Sequence, residues 1–215
     1  MTVPLGSTPL HVSGTTPYPW PWNGDCTPAR TALVITGWDP HWMAATRPDT
    51  AVLANIATLA TVLPFTITVT HRPPRRTTIT ADAVSRVRLP DLGCDDLVAV
   101  DAAGVDGFWG SPLDALVRER GLDRLVLVGL GLETTVHSTL RRANDMGLEC
   151  LLVVDACAPV DPTLVQNAVS SIEMSGGIFG AGGTTDAVRT AFATPDDPNP
   201  PPATSPLPNR TGATP

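Results

Sequence analysis

Apolar residues come in short runs separated by longer amphipathic stretches. Runs rich in β-branched and aliphatic residues lie at Ala32–Thr36, Phe65–Thr70, Leu97–Asp101, Arg124–Gly129 and Cys150–Asp155. Such runs predict strands buried on both faces. A shorter one, Gly177–Gly180, predicts a sixth strand. Between the runs the period becomes helical. Residues 50–63 place Val52, Leu53, Ile56, Leu59 and Leu63 on one face, as an amphipathic helix requires. Ser111-Pro112-Leu113-Asp114 has the form of a capping box with proline at the first helical position, and Gly121 is a fitting stop. Asp161-Pro162 opens another helix in the same way. Further helices are predicted near 133–146, ending at Gly147, and over 184–192.

Strand–helix alternation at this spacing predicts an α/β fold with a mostly parallel sheet of about six strands, covered on both faces. Ligands of such folds bind beyond the carboxyl ends of the strands. The residues just after each strand therefore matter most: 36–41, 70–72, 101–108, 129–135 and 155–158.

The ends of the chain differ from its middle. Residues 1–30 are rich in Pro, Gly and Thr and carry Pro-Tyr-Pro-Trp-Pro-Trp at 17–22. They predict an extended arm. Its aromatics could bind a partner, but packing on the domain's own surface explains them more simply. Residues 195–215 hold eight prolines with Asn, Thr and Asp, a composition that cannot bury a core and predicts a disordered tail. One domain over residues 31–194 is expected between arm and tail.

Composition narrows the function classes. The 215 residues are 42% hydrophobic, with a net charge of −7. An acidic chain repels polyphosphate, so nucleic acid is not an expected partner. The pairs Arg75–Arg76 and Arg141–Arg142 read as solvated charge. No window approaches the ~18 apolar residues of a membrane span, and no basic-then-apolar leader opens the chain. A cytoplasmic protein is expected. Cys26, Cys94, Cys150 and Cys157 fit no CxxC zinc spacing and read as free thiols, with Cys150 and Cys157 as packing residues.

Three stretches resemble the isochorismatase-like cysteine hydrolases, in particular the ureidoacrylate and biuret amidohydrolase branch. They are Pro17–Trp42, with Thr31-Ala-Leu-Val-Ile-Thr-Gly-Trp-Asp; Ala99–Leu113, with Phe108-Trp-Gly-Ser-Pro-Leu; and Gly129–Gly147, on through Cys150–Ala158 and Ile172–Gly180, with Ser138-Thr-Leu-Arg-Arg-Ala-Asn-Asp-Met-Gly and Ser175-Gly-Gly-Ile-Phe-Gly. The resemblance implies a three-layer Rossmann-like sandwich. It also implies a cysteine thiolate as nucleophile, an aspartate as base and a lysine supporting the charge. Thiolate attack needs that company, because a neighbouring cation lowers the thiol pKa. At the matching positions this chain holds Thr36 for the aspartate, Ala102 for the lysine and Thr135 for the cysteine. The inherited thiol mechanism is therefore not expected.

Other residues near the strand ends are candidates for a rebuilt site: Trp38, Asp39, His41, His71, Asp101, Asp106, Phe108, Glu133 and His137. Thr135 would need an adjacent base to act as a nucleophile; capping its helix is the simpler role. Cys157, placed just past a strand end, has no Lys or Arg close in sequence. Asp39 lies three residues beyond the strand-end position that an acid for vinyl-ether cleavage would occupy. Asp and His near one cleft suit a metal, but Thr70-His-Arg-Pro-Pro lacks the Asp-x-His of the nicotinamidase branch; no metal and no cofactor are expected. Gly129-Leu-Gly-Leu-Glu-Thr lacks the third glycine of a dinucleotide fingerprint and reads as a tight strand-to-helix turn.

The chain admits three readings. One is a catalytically degenerate member, a pseudoenzyme, assembled with an intact paralogue or with itself as a dimer or tetramer, or holding a small-molecule ligand. The second is a hydrolase with a rebuilt, non-cysteine site acting on a small amide, ureido or vinyl-ether substrate. The third is a scaffold whose Pro-rich arm and tail recruit partners.

Overall fold

A computed structural model describes residues 11–24, 26–73 and 77–193. Arg75, Arg76 and the tail expected over 195–215 lie outside the described residues.

Two strands form the centre. β1 (Thr31–Thr36) and β4 (Arg124–Leu130) are buried at every position, so neither shows alternation and both are almost wholly apolar. β2 (Thr66–His71) and β3 (Leu97–Ala102) extend the sheet on one side. β5 (Glu149–Ala158) and β6 (Ala181–Gly183) extend it on the other. All neighbours pair in parallel, in the order β3-β2-β1-β4-β5-β6.

Right-handed crossovers then dictate the layers. The helices of the first half are α1 (Pro40–Thr46), α2 (Thr50–Val62) and α3 (Ala81–Ser85). They cover one face. α4 (Leu113–Glu119), α5 (His137–Asp145) and α6 (Val165–Gly177) cover the other. α7 (Thr185–Phe192) returns to the first face and packs on α2. The result is a three-layer α/β sandwich with one six-stranded parallel sheet.

Local signals act as the sequence suggests, with some shifts. Asp49 and Thr184 cap α2 and α7 by accepting from Val52 N–H and Ala187 N–H. The Ser111 hydroxyl accepts from Leu113 N–H at 3.1 Å, whereas Asp114 turns away to Arg118. Neither bond of the expected capping box is made, and α4 begins after Pro112, which is its N-cap and not its first residue. The Asp161 side chain caps a single 3-10 turn, Pro162–Leu164, ahead of α6. α1 and α3, short helices, go beyond the sequence reading.

The sixth strand is displaced from the predicted Gly177–Gly180 to Ala181–Gly183. Gly176 and Gly177 take φ of 79° and 86° and close α6. Ile178 is left exposed, and the Phe179 ring carries the Arg141 guanidinium at 3.9 Å. An apolar pair between glycines looks like a strand in one dimension but serves here as a helix stop. β5 also runs past its predicted end at Asp155, so Cys157 lies inside a strand and not after one.

The described part of the arm, residues 11–24 and 26–30, packs on the domain. Thr16 and Gly182 exchange N–H···O bonds of 2.9 and 2.7 Å, which adds an antiparallel bridge to the β6 edge. Trp20 is fully buried and Tyr18 half-buried, but Trp22 is 71% exposed. Among the described residues, no helix is long and apolar enough to cross a membrane.

β1 and β4 meet in register, with Thr36 beside Gly129. Gly129 has a φ of 130°, and a β-carbon there would lie 2.1 Å from the Thr36 carbonyl oxygen. Gly129→Ala should therefore lower unfolding free energy by roughly 3 kcal/mol, from backbone strain and overpacking together. Gly121→Ala, at a φ of 64° with nothing near the added carbon, should cost about 1 kcal/mol. Denaturant unfolding of both variants measures the difference.

Candidate functional site

Sheet order reverses between β1 and β4, so the crevice for a ligand opens beyond their carboxyl ends. β1 ends at Thr36, and Gly37 comes next with a φ of 66°. A β-carbon on Gly37 would meet the Leu130 carbonyl oxygen at 2.3 Å. Across the crevice β4 ends at Leu130. Gly131, at a φ of 86°, then turns the chain into a single π-helical turn, Leu132–Val136, that leads into α5. Such turns depart from the regular helix and change which side chains share a face.

Thr36 and Thr135 meet at this point. Both are fully buried, and their hydroxyl oxygens lie 3.3 Å apart. The Thr135 hydroxyl also reaches the Leu130 carbonyl oxygen. One proton per hydroxyl gives a consistent chain: Thr36 donates to Thr135, and Thr135 donates to Leu130. Among the described residues, no carboxylate or imidazole bonds either hydroxyl. Thr135 therefore lacks the base that a hydroxyl nucleophile needs. Ala102 is the last residue of β3, beside His71 on β2, and is buried.

Asp39 is a structural carboxylate. Its Oδ1 accepts from His41 N–H at 2.9 Å and from Trp42 N–H at 3.0 Å, which caps α1. Its Oδ2 accepts from His71 N–H at 3.0 Å. One buried carboxylate thus ties the end of β2 to the start of α1. His71 is 3% exposed, and its Nδ1 bonds the Gly104 carbonyl oxygen at 2.8 Å. Burial pushes the His71 pKa down; the Gly104 carbonyl, Asp39 and Asp106 oppose that shift. The neutral ring carries its proton on Nδ1, toward Gly104.

The remaining candidates spread around the crevice. Trp38 and Phe108 are buried, and Trp38 N–H donates to Val69 at 3.0 Å. The His41 ring stands edge-on to Trp42, centroids 5.7 Å apart. Asp101 is exposed and accepts from the Thr70 hydroxyl. Asp106 turns back on its own loop, accepting from Phe108 N–H at 2.9 Å. The Glu133 carboxylate accepts from Val160 N–H and Asp161 N–H and holds the segment after β5. His137 is half-buried, and burial together with Arg141 lowers its pKa. Among the described residues, no hydrogen bond joins the side chains of Asp39, His41, His71 and His137 to one another, and no group of three or more His, Cys, Asp or Glu could hold a metal ion.

The two thiols of β5 are unsuited to attack. Cys157 is buried within β5 and donates to the Val153 carbonyl at 3.2 Å, and burial raises its pKa. Burial does the same at Cys150. A raised pKa leaves a thiol un-ionised and inert.

Two features of the site escape a strand-end search. Thr139 is fully buried; its hydroxyl donates to the Thr135 carbonyl at 2.7 Å and accepts from Gly107 N–H at 2.9 Å. It anchors the 103–112 loop to α5. Its signal is its place four residues beyond Thr135 on one helix face. The second is compositional: the sequence contains no lysine, and all 14 of its basic residues are arginine.

Comparison with known proteins agrees with this architecture. The model of the isochorismatase domain matches residues 31–181. The ureidoacrylate amidohydrolase RutB of Azorhizobium caulinodans is 32% identical over 97 residues, 45% of this chain and 41% of that protein. RutB of Methylorubrum extorquens is 26% identical over 147 residues, 67% of this chain and 56% of its own length. The chain thus spans about half the length of these curated relatives. An isochorismatase family protein from Burkholderia thailandensis superposes with a TM-score of 0.60 at 22% identity, covering 77% of this chain and 97% of that one. That last likeness concerns the fold.

Asp39→Ala removes a helix cap and leaves the buried His71 N–H unsatisfied. A loss of roughly 2–4 kcal/mol is expected, read by denaturant unfolding. Asp39→Asn keeps an acceptor and should lose less. His71 supplies a pH dependence. Its folded pKa lies below the ordinary 6.5, so the unfolded chain binds more protons below about that pH. Stability is complete above 6.5 and falls as the pH drops through the folded value. His137 acts in the same direction. His71→Gln should flatten the decline, measured by urea midpoints across acidic pH.

Proposed function

The chain belongs to the isochorismatase family, and from that premise we propose that it is a catalytically degenerate member whose cleft binds without hydrolysing. The carrying observation is the buried hydroxyl chain from Thr36 through Thr135 to the Leu130 carbonyl. At the positions where the family resemblance places a base and a nucleophile, two threonines satisfy each other and the main chain. Ala102 offers only a methyl group where the resemblance places a cation, and no lysine exists elsewhere in the sequence to replace it. Cys157, the thiol nearest a strand end, is held protonated by burial.

Family relatives in the comparison include amidohydrolases, so small amide and ureido compounds are the first ligands to test. Assembly with an intact paralogue, or with a second copy as a dimer or tetramer, gives such a subunit a role, and the protein is read as cytoplasmic.

The expected result is no turnover of ureidoacrylate, biuret, nicotinamide or isochorismate at high enzyme concentration, with any binding seen as a ligand-dependent rise in Tm. Turnover that disappears in Thr135→Ala would sink this reading. Turnover that survives Thr135→Ala but disappears in His71→Gln would favour a rebuilt site instead.

A further inference from the structure

A shallow groove of about 280 Å³ lies far from the crevice, at the amino-terminal edge of β5. Tyr18, Trp22, Glu149, Gly177 and Ile178 line it. Tyr18 and Trp22 stand edge-to-face with centroids 5.1 Å apart. Their arrangement is built. Trp22 N–H donates to Glu149 Oε1 at 2.8 Å, and the Tyr18 hydroxyl reaches the same oxygen at 3.4 Å. A β-carbon on Gly177 would meet the Tyr18 ring at 2.5 Å, so only glycine lets the ring lie against the end of α6. Despite this order, Trp22 is 71% and Ile178 58% exposed.

We infer that the groove takes the proline-rich segment 206–210 of this same chain, Pro-Leu-Pro-Asn-Arg. Proline-rich segments favour an extended left-handed helix with little entropy left to lose, and aromatic-lined grooves are the surfaces that receive them. Charge agrees. The groove combines the Glu149 carboxylate with the carboxyl end of the 13-residue α6, whose last carbonyls carry partial negative charge. Arg210 is the one cation after residue 193. Arg141, the nearby cation, is stacked on Phe179.

Reach agrees as well. α7 starts where Thr185 N–H donates to Asp155, toward the carboxyl end of β5, and runs back toward the edge where Glu149 begins the strand. The 13 residues from 193 to 206 span about 40 Å at ~3.1 Å each. A tether of that length holds the segment at about millimolar effective concentration, enough for a weak contact to persist.

The test uses the full chain labelled with ¹⁵N. It is compared with the triple variant Pro206→Ala/Pro208→Ala/Arg210→Ala, whose changes lie beyond α7. The indole N–H resonance of Trp22, assigned through Trp22→Phe, should shift between the two proteins, and those of Trp20, Trp38 and Trp42 should not. A synthetic peptide of residues 204–212, added at about millimolar concentration, should return the variant's Trp22 resonance to its parental position. An unchanged Trp22 resonance overturns the inference. So does a parental resonance that moves to the variant position on dilution, because the occupant would then be the segment of a second copy.

Discussion

The pairing of β1 with β4 is the constraint on which the rest depends. Both strands are buried along their whole length, so they lie in the sheet's interior and every other strand adds outward from them. Their register places Thr36 beside Gly129 with no space for a side chain at 129. Gly37 and Gly131 then turn the two chains apart through left-handed backbone. In sheets of this kind the ligand crevice lies beyond such a divergence. Its lining is decided by whichever residues come after the two turns.

In this chain most of those polar groups are directed at the protein itself, although the buried His71 Nε2 has no hydrogen-bond partner among the described residues. Asp39 satisfies three backbone N–H groups, Glu133 two, and His71 bonds a loop carbonyl. Thr36 and Thr135 close on each other. A carboxylate whose lone pairs are taken by main-chain donors acts as a fastener for the backbone. Thr36, Thr135 and Ala102 bring two buried hydroxyls and a buried methyl to the strand ends. Burial of β1 and β4 makes no demand on the chemistry at residues 36, 102 and 135, so the fold alone does not fix the function.

Much of this is legible in one dimension where a single element's physics decides. Most of the main strands show as apolar runs because a strand covered on both faces must be apolar throughout; β3, expected to be buried, is instead an edge strand exposed at Leu97, Ala99 and Asp101. The ends of α2 and α7 show because Asp49 and Thr184 cap them locally. Ile178-Phe179 misleads, because strand propensity at two residues cannot reveal that Gly176 and Gly177 are closing a helix. Asp39 and His71 stand out as chemical candidates on position alone. Their actual work, one carboxylate tying the end of β2 to the start of α1, depends on residues 32 positions apart in sequence.

By itself, the sequence determined the α/β class and the presence of Thr36, Ala102 and Thr135 near the strand ends. Those depend on local periodicity and on which side chains are present, and a thiol or an amine that is absent cannot be supplied by folding. Only the tertiary structure decided how the remaining polar groups are used. Whether a buried hydroxyl or carboxylate acts on a ligand or satisfies its own backbone depends on long-range hydrogen-bond partners. The sequence names those partners, but only folding brings them within hydrogen-bond reach of one another.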